Sequence, residues 1–149
     1  MPPTSSARDD GRIVLTLLAP SRAVSGSTIT STATIKVAGS SRVVDDLGQP
    51  VDVYIVRGGK VVGAYHGMVA GTGVIVGPDA RSGTGQSVPV TPVVLSGCPS
   101  GPIDYARPDA TRHPLPPGLY ELIAAMEDSP PGAPGGVLVA AAVSVVVTA

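Results

Sequence analysis

The sequence predicts an all-β fold, an antiparallel β-sandwich of seven to nine strands. Three observations predict it. Apolar and polar residues alternate with period two in several short windows. Gly, Pro, Ser and Asp clusters cut the chain at intervals of roughly ten residues, the spacing of sandwich strands. An amphipathic helix needs a window of more than about ten residues free of Pro and Gly, and few exist here.

The composition agrees. The 149 residues include 19 Gly and 16 Pro, about twice their usual combined share, with no Phe, no Trp and 4 Tyr. The length suits one domain with a real core. With 43% hydrophobic and 14% charged residues the chain is too apolar for a disordered tail. A net charge of −1 supplies no basic excess for a phosphate backbone, and no aromatic series is present to stack bases. Nucleic acid is therefore not an expected partner. We expect residues 1–11 to be a flexible leader and residues 12–149 a single domain, with no linker and no internal repeat.

The elements follow in chain order. Arg12 to Ala19 reads as a strand with Ile13, Leu15 and Leu17 on one face. The turn chemistry of APSRAVSG leads to a second strand, Ser27 to Ala38. There Ile29, Ser31, Ala33, Ile35 and Val37 share one side, and Thr28, Thr30, Thr32, Thr34 and Lys36 the other. Val51 to Arg57 and Lys60 to Tyr65 flank Gly58-Gly59, and two glycines suit a type I′ hairpin turn because both central positions need positive φ. Met68 to Val76 reads as a strand interrupted by Gly71 and Gly73. Ser87 to Leu95 is β-rich, but Pro89 and Pro92 remove ladder donors, which predicts an edge or irregular strand. Leu119 to Glu127 places Tyr120, Leu122, Ala124 and Met126 on one side, and Val137 to Thr148 reads as one closing strand. Residues 77–86, 96–117 and 128–136 read as loops.

No convergent chemical site emerges. Cys98 is the single cysteine, so it has no internal disulfide partner. As a nucleophile it needs a base, and His66 and His113 stand at no spacing that supplies one. A copper site of the His₂Cys type places its second His and its Met a few residues after the Cys. Here His113 is fifteen residues past Cys98, and Met126 thirteen further. Asp9-Asp10 and Asp45-Asp46 read as solvated turns rather than calcium ligands. Glu121 and Glu127 share a strand face about 20 Å apart, too far for paired glycosidase carboxylates. Gly71-Thr72-Gly73 and Gly83-Thr84-Gly85 precede no helix and no Lys-Ser/Thr, so neither is a phosphate loop. We expect no metal, no cofactor and no enzymatic activity.

The most specific local pattern is Leu115-Pro116-Pro117-Gly118-Leu119-Tyr120-Glu121-Leu122. A Leu, then Pro-Gly, then a Tyr opening a strand resembles the tyrosine corner of Ig-like and fibronectin-type sandwiches. Thr28 to Val37 resembles the second strand of such domains, and VYIVRGGKVVG, residues 53–63, resembles their central hairpin. Together these segments are similar to the small Ig-like domains of bacterial secreted and envelope proteins. They are less closely similar to the bacterial intracellular proteinase-inhibitor sandwich family, which shares a Gly-turn hairpin and a late Pro-Gly-x-Tyr strand. The resemblance implies an Ig-like or fibronectin-type sandwich with structural roles for Tyr120, Gly118 and Leu115. The Tyr120 ring would fill the end of the core while its hydroxyl bonds nearby backbone. Some such domains carry a Cys before the central hairpin. Residues 43–50 (VVDDLGQP) hold none, so no bridge to Cys98 is implied.

The functional expectation is a non-catalytic Ig-like binding or structural module of a secreted or cell-envelope protein. Its loops are the expected contact surface, with Arg81, Asp104, Tyr105 and Arg107 as candidate binding residues. The expected partner is a protein or a second copy. One alternative is a proteinase-inhibitor-like domain acting through an exposed loop, with Arg81 entering a protease pocket. Another is a self-assembling fibre or shell subunit joined through strand edges, the Val-rich terminal strand pairing with a neighbour. That terminal run, residues 137–149, falls short of the roughly 20 apolar residues of a bilayer span, so no membrane insertion by this segment is expected. The resemblance implies an extracellular or envelope location. MPPTSSARDD has no apolar signal core, which leaves the cytoplasm as the alternative.

Overall fold

Period-two burial organises the chain. In Ile13–Leu18, residues 13, 15 and 17 are buried while Val14, Thr16 and Leu18 face outward. The structure is a computed structural model that describes residues 13–37, 46–47, 51–65, 74–75, 86–88, 90, 93–97, 113–129 and 136–149. The expected leader, residues 1–11, lies outside the described residues, as do residues 68–73 and 76 of the strand expected over Met68 to Val76.

The strands in chain order are β1 (Ile13–Leu18), β2 (Arg22–Val24), β3 (Thr28–Ile29), β4 (Thr32–Val37), β5 (Asp46–Leu47), β6 (Asp52–Arg57), β7 (Lys60–Tyr65) and β8 (Val74–Ile75). They continue with β9 (Gln86–Val88), β10 (Val93–Val94), β11 (Ser96–Gly97), β12 (His113–Pro114), β13 (Gly118–Ser129), β14 (Gly136–Val139) and β15 (Val143–Thr148). No helix occurs among the described residues, so the protein is all-β. The segments outnumber the seven to nine strands expected because several long runs are broken. Ser27 to Ala38 divides at Thr30-Ser31 into β3 and β4, which join different sheets. Ser87 to Leu95 divides into β9 and β10, with Pro89 and Pro92 in between.

Two sheets carry the fold. The smaller has the order β1-β4-β9. In the larger, β13 is central, with β14 and β15 along one edge and β5 and β6 along the other. Beyond them β7 pairs β6, β8 pairs β5, and β2 pairs β15. All of these pairings are antiparallel except β2 with β15. The chain therefore leaves the smaller sheet after β1 and joins the larger one as β2, beside the final strand. The Val146 amide donates to the Ser21 carbonyl at 2.8 Å, and the Ser25 amide to the Thr148 carbonyl at 2.8 Å.

The inward alternates of both sheets form one apolar cluster: Leu15, Leu17, Ala33 and Ile35 from the smaller sheet, and Val53, Ile55, Tyr120, Leu122, Val145 and Val147 from the larger. Full burial of each Val, Leu or Ile side chain stabilises by roughly 1.5–3 kcal/mol. Tyr120, Leu122, Ala124 and Met126 are all buried, the face expected of β13.

The β6–β7 hairpin turns at Gly58 and Gly59, with φ of 57° and 75°, the positive values that a type I′ turn requires. A bulge follows. Ile55 faces Gly63 but Val56 faces Val61, leaving Val62 as the extra residue.

A second bulge corrects the expectation of one closing strand. Leu122 faces Val143 and Ala125 faces Val139, so Ile123-Ala124 oppose Ala140-Ala141-Ala142. The extra residue changes the parity of the strand. It allows Leu138 and Ala140 to point into the core together with Val145 and Val147. Part of the terminal run that was expected to offer an edge is covered on both sides. β15 lies between β13 and β2, both of its edges being engaged over Val146 and Val147.

Candidate functional site

The corner where β13 begins is built from three separate chain segments. Leu115 is buried, and its amide donates to the Leu95 carbonyl at 3.1 Å. Its own carbonyl accepts from the Ser25 hydroxyl at 2.5 Å. Pro116 and Pro117 then carry the chain to Gly118, whose φ is +152°. A Cβ at Gly118 would stand 3.2 Å from Arg57 Nη2, so the missing side chain makes room for the guanidinium.

Tyr120 is 1% exposed, and its hydroxyl donates to the Pro116 carbonyl at 2.7 Å. The same oxygen accepts from Arg57 Nη1 at 3.1 Å. The Arg57 guanidinium carbon lies 5.2 Å from the Tyr120 ring centroid, within cation–π range. Both hydrogen-bonding roles of the phenol are therefore filled. This is an arrangement for holding a corner shut, with its proton committed to a carbonyl. The part played by Arg57 was missed in the sequence. It lies 63 residues from Tyr120, and its only local signal is its place before the Gly58-Gly59 turn.

A second fixed point lies nearby. β11 and β12 pair as a two-residue stem, with Ser96 opposite Pro114 and Gly97 opposite His113. The buried Tyr65 hydroxyl donates to the Ser96 carbonyl at 3.0 Å, and Leu95 is fully buried. The Leu95 carbonyl accepts from Gly26 at 2.9 Å as well as from Leu115, so one buried acceptor ties the stem to the Ser25–Ser27 turn. The stem thus holds Gly97 and His113 side by side.

The candidate binding residues Arg81, Asp104, Tyr105 and Arg107 lie outside the described residues, as do His66, Cys98, Asp9, Asp10 and Asp45. His113 is exposed at the stem, and Glu121 is exposed on β13. Among the described residues no group of three or more His, Cys, Asp or Glu is placed to hold a metal ion. Among them, too, no helix is long and apolar enough to cross a membrane.

A cavity of about 150 Å³ is lined by Asp52, Tyr54, Ala125, Met126 and Val137, from β6, β13 and β14. It is smaller than the roughly 300–1,000 Å³ of small-molecule sites. Against protein-family models, curated proteins and solved structures the chain finds no match.

Proposed function

We propose that the chain is a non-catalytic Ig-like module, binding or structural, of a secreted or cell-envelope protein. The observation that carries this reading is the strand grouping. The order β1-β4-β9 beside β6-β13-β15 parallels the A-B-E and C-F-G groupings of constant-type Ig domains. In antibody domains the second core cysteine follows the corner tyrosine by two residues. Leu122 stands at that position, fully buried, so aliphatic packing takes the place of a disulfide.

The described interior also supports a scaffold role. It is almost wholly aliphatic, and the Tyr65 and Tyr120 hydroxyls are committed to backbone carbonyls. Under this proposal the contacts are made by loops on that scaffold: Arg81 in one, and Asp104, Tyr105 and Arg107 in the segment joined at the β11–β12 stem. Loops on a rigid frame are where binding residues concentrate.

Site-specific photo-crosslinking in the native host tests the proposal. A photoreactive residue is placed at position 105 or 107, with control positions 119 and 144 on the outer face of the larger sheet. The expected result is one protein adduct from 105 or 107 and none from the controls. Adducts from the controls alone would move the contact surface to the sheet, and adducts from no position would remove the binding role. Protease treatment of intact host cells, with degradation expected, tests the secreted or envelope placement.

A further inference from the structure

We propose that β1 is a self-pairing edge, through which two copies of this chain join their smaller sheets. Among the described residues β1 is bonded on one side only, to β4, in an unbroken register from Ile13↔Val37 to Leu18↔Thr32. Exposed strand edges are templates for further pairing, and proteins blunt them with charge, proline, bulges or shortness. The other one-sided strands carry such features. β2 and β9 are three residues long, β2 containing Arg22 and β9 adjoining Pro89. β8 is two residues long. β14 is four residues long and stops at the bulge. β7 is as long as β1, but it begins at Lys60, contains Gly63 and is bent by its own bulge. β1 reads IVLTLL, six residues with no charge, proline or glycine.

The strand is complementary to itself. Directly opposed residues of an antiparallel pair lie on the same face. With Thr16 opposite Thr16, Val14 of one copy meets Leu18 of the other on the outer face. On the inner face Leu15 meets Leu17. Val14 and Leu18 are 48% and 64% exposed, and Leu18 is the most exposed large apolar side chain among the described residues. This register covers both residues in both copies and leaves neither without a partner.

Charge permits the match. No charged side chain lies in β1, and among the described residues the nearest on that face, Lys36, sits one strand back, opposite Val14; Arg12, next to β1 in sequence, lies outside the described residues. The joined sheet has the order β9-β4-β1-β1-β4-β9 about a two-fold axis, an isologous contact that closes as a dimer. A foreign strand gains the same backbone bonds, but only a second copy brings the matching Val14–Leu18 pairs by symmetry.

Sedimentation of the full chain from micromolar to millimolar concentration tests the inference, with T16K, T16E and their equimolar mixture alongside. Thr16 is exposed, so both variants are expected to fold, which far-UV circular dichroism checks. The wild type should dimerise with rising concentration. Each variant alone should associate about tenfold or more weakly, because two like charges meet across the axis. The mixture should regain the dimer, because opposite charges then meet.

A wild type monomeric at millimolar concentration overturns the inference. So do variants that associate like the wild type, or a mixture that stays monomeric. Should either Thr16 variant fail to fold, V14K and L18E, weak alone and dimeric when mixed, read the same register. The test is independent of the loop contacts, so its failure leaves the proposed module standing.

Discussion

The Arg57 guanidinium lies over the Tyr120 ring, 5.2 Å from its centroid, and donates to the hydroxyl of the same residue at 3.1 Å. One cation therefore engages both the π face and the oxygen of a phenol whose own proton goes to Pro116. The contact ties the β6–β7 hairpin to the start of β13.

Removing the hydroxyl tests how much this corner contributes. Tyr120→Phe keeps the ring and its burial but leaves the Pro116 carbonyl and Arg57 without that partner, a loss of about 1–2 kcal/mol. Arg57→Ala removes a partly solvated cation and should lose about 0.5–1 kcal/mol. Because they share one hydrogen bond, the double variant should lose less than the sum, by about 0.5 kcal/mol. Urea unfolding of the four proteins measures this, and strictly additive losses would show that the two side chains do not cooperate.

Gly118 bears on the same contact in two ways. Its φ of +152° is unfavourable for any L side chain, and a Cβ would stand 3.2 Å from Arg57 Nη2. Gly118→Ala should therefore destabilise by about 1–3 kcal/mol. In an Arg57→Ala background the crowding is gone and the backbone strain remains. The glycine substitution should then lose less stability, but still some. An equal loss in both backgrounds would place the whole effect in the backbone.

Local pattern and distant contact differed in how well they could be read. The β6–β7 hairpin was legible because alternation and Gly-Gly turn chemistry agree over residues 51–65. β1 and the inward face of β13 were legible for the same reason, a clean period of two. The Ala and Val run over residues 137–148 has no polar alternates to mark its faces, so nothing local shows that Ala140-Ala141-Ala142 changes the parity. The break at Thr30-Ser31 is similarly silent, because Ser and Thr suit a strand and a crossover alike. That β15 lies between β13 and β2 depends on pairing with residues more than a hundred positions earlier. The Arg57–Tyr120 contact likewise exists only once the larger sheet has assembled.

Ser31 sits at that break. Its hydroxyl oxygen is buried, with no hydrogen-bond partner among the described residues. A buried hydroxyl without a partner loses its hydration and gains nothing in return. Ser31→Ala should raise stability by about 1 kcal/mol, against the usual direction of core substitutions. A higher urea midpoint at unchanged slope is the expected reading. A lower midpoint would mean that the oxygen has a partner in solution.

The bulge at residues 140–142 makes the sharpest demand on the chain. Leu138 before it, Ala140 at its start, and Val145 and Val147 after it all point inward only because three residues oppose two. Deleting Ala141 restores an even count. The strand must then turn either Leu138 or the pair Val145 and Val147 toward water, at roughly 1.5–3 kcal/mol per side chain. Ala141 itself is exposed, so Ala141→Ser should stay within about 0.5 kcal/mol of the parent. Thermal unfolding of the two variants separates position from count. A deletion as mild as the substitution would mean that β14 contributes little to the core, and the parity argument would fall with it.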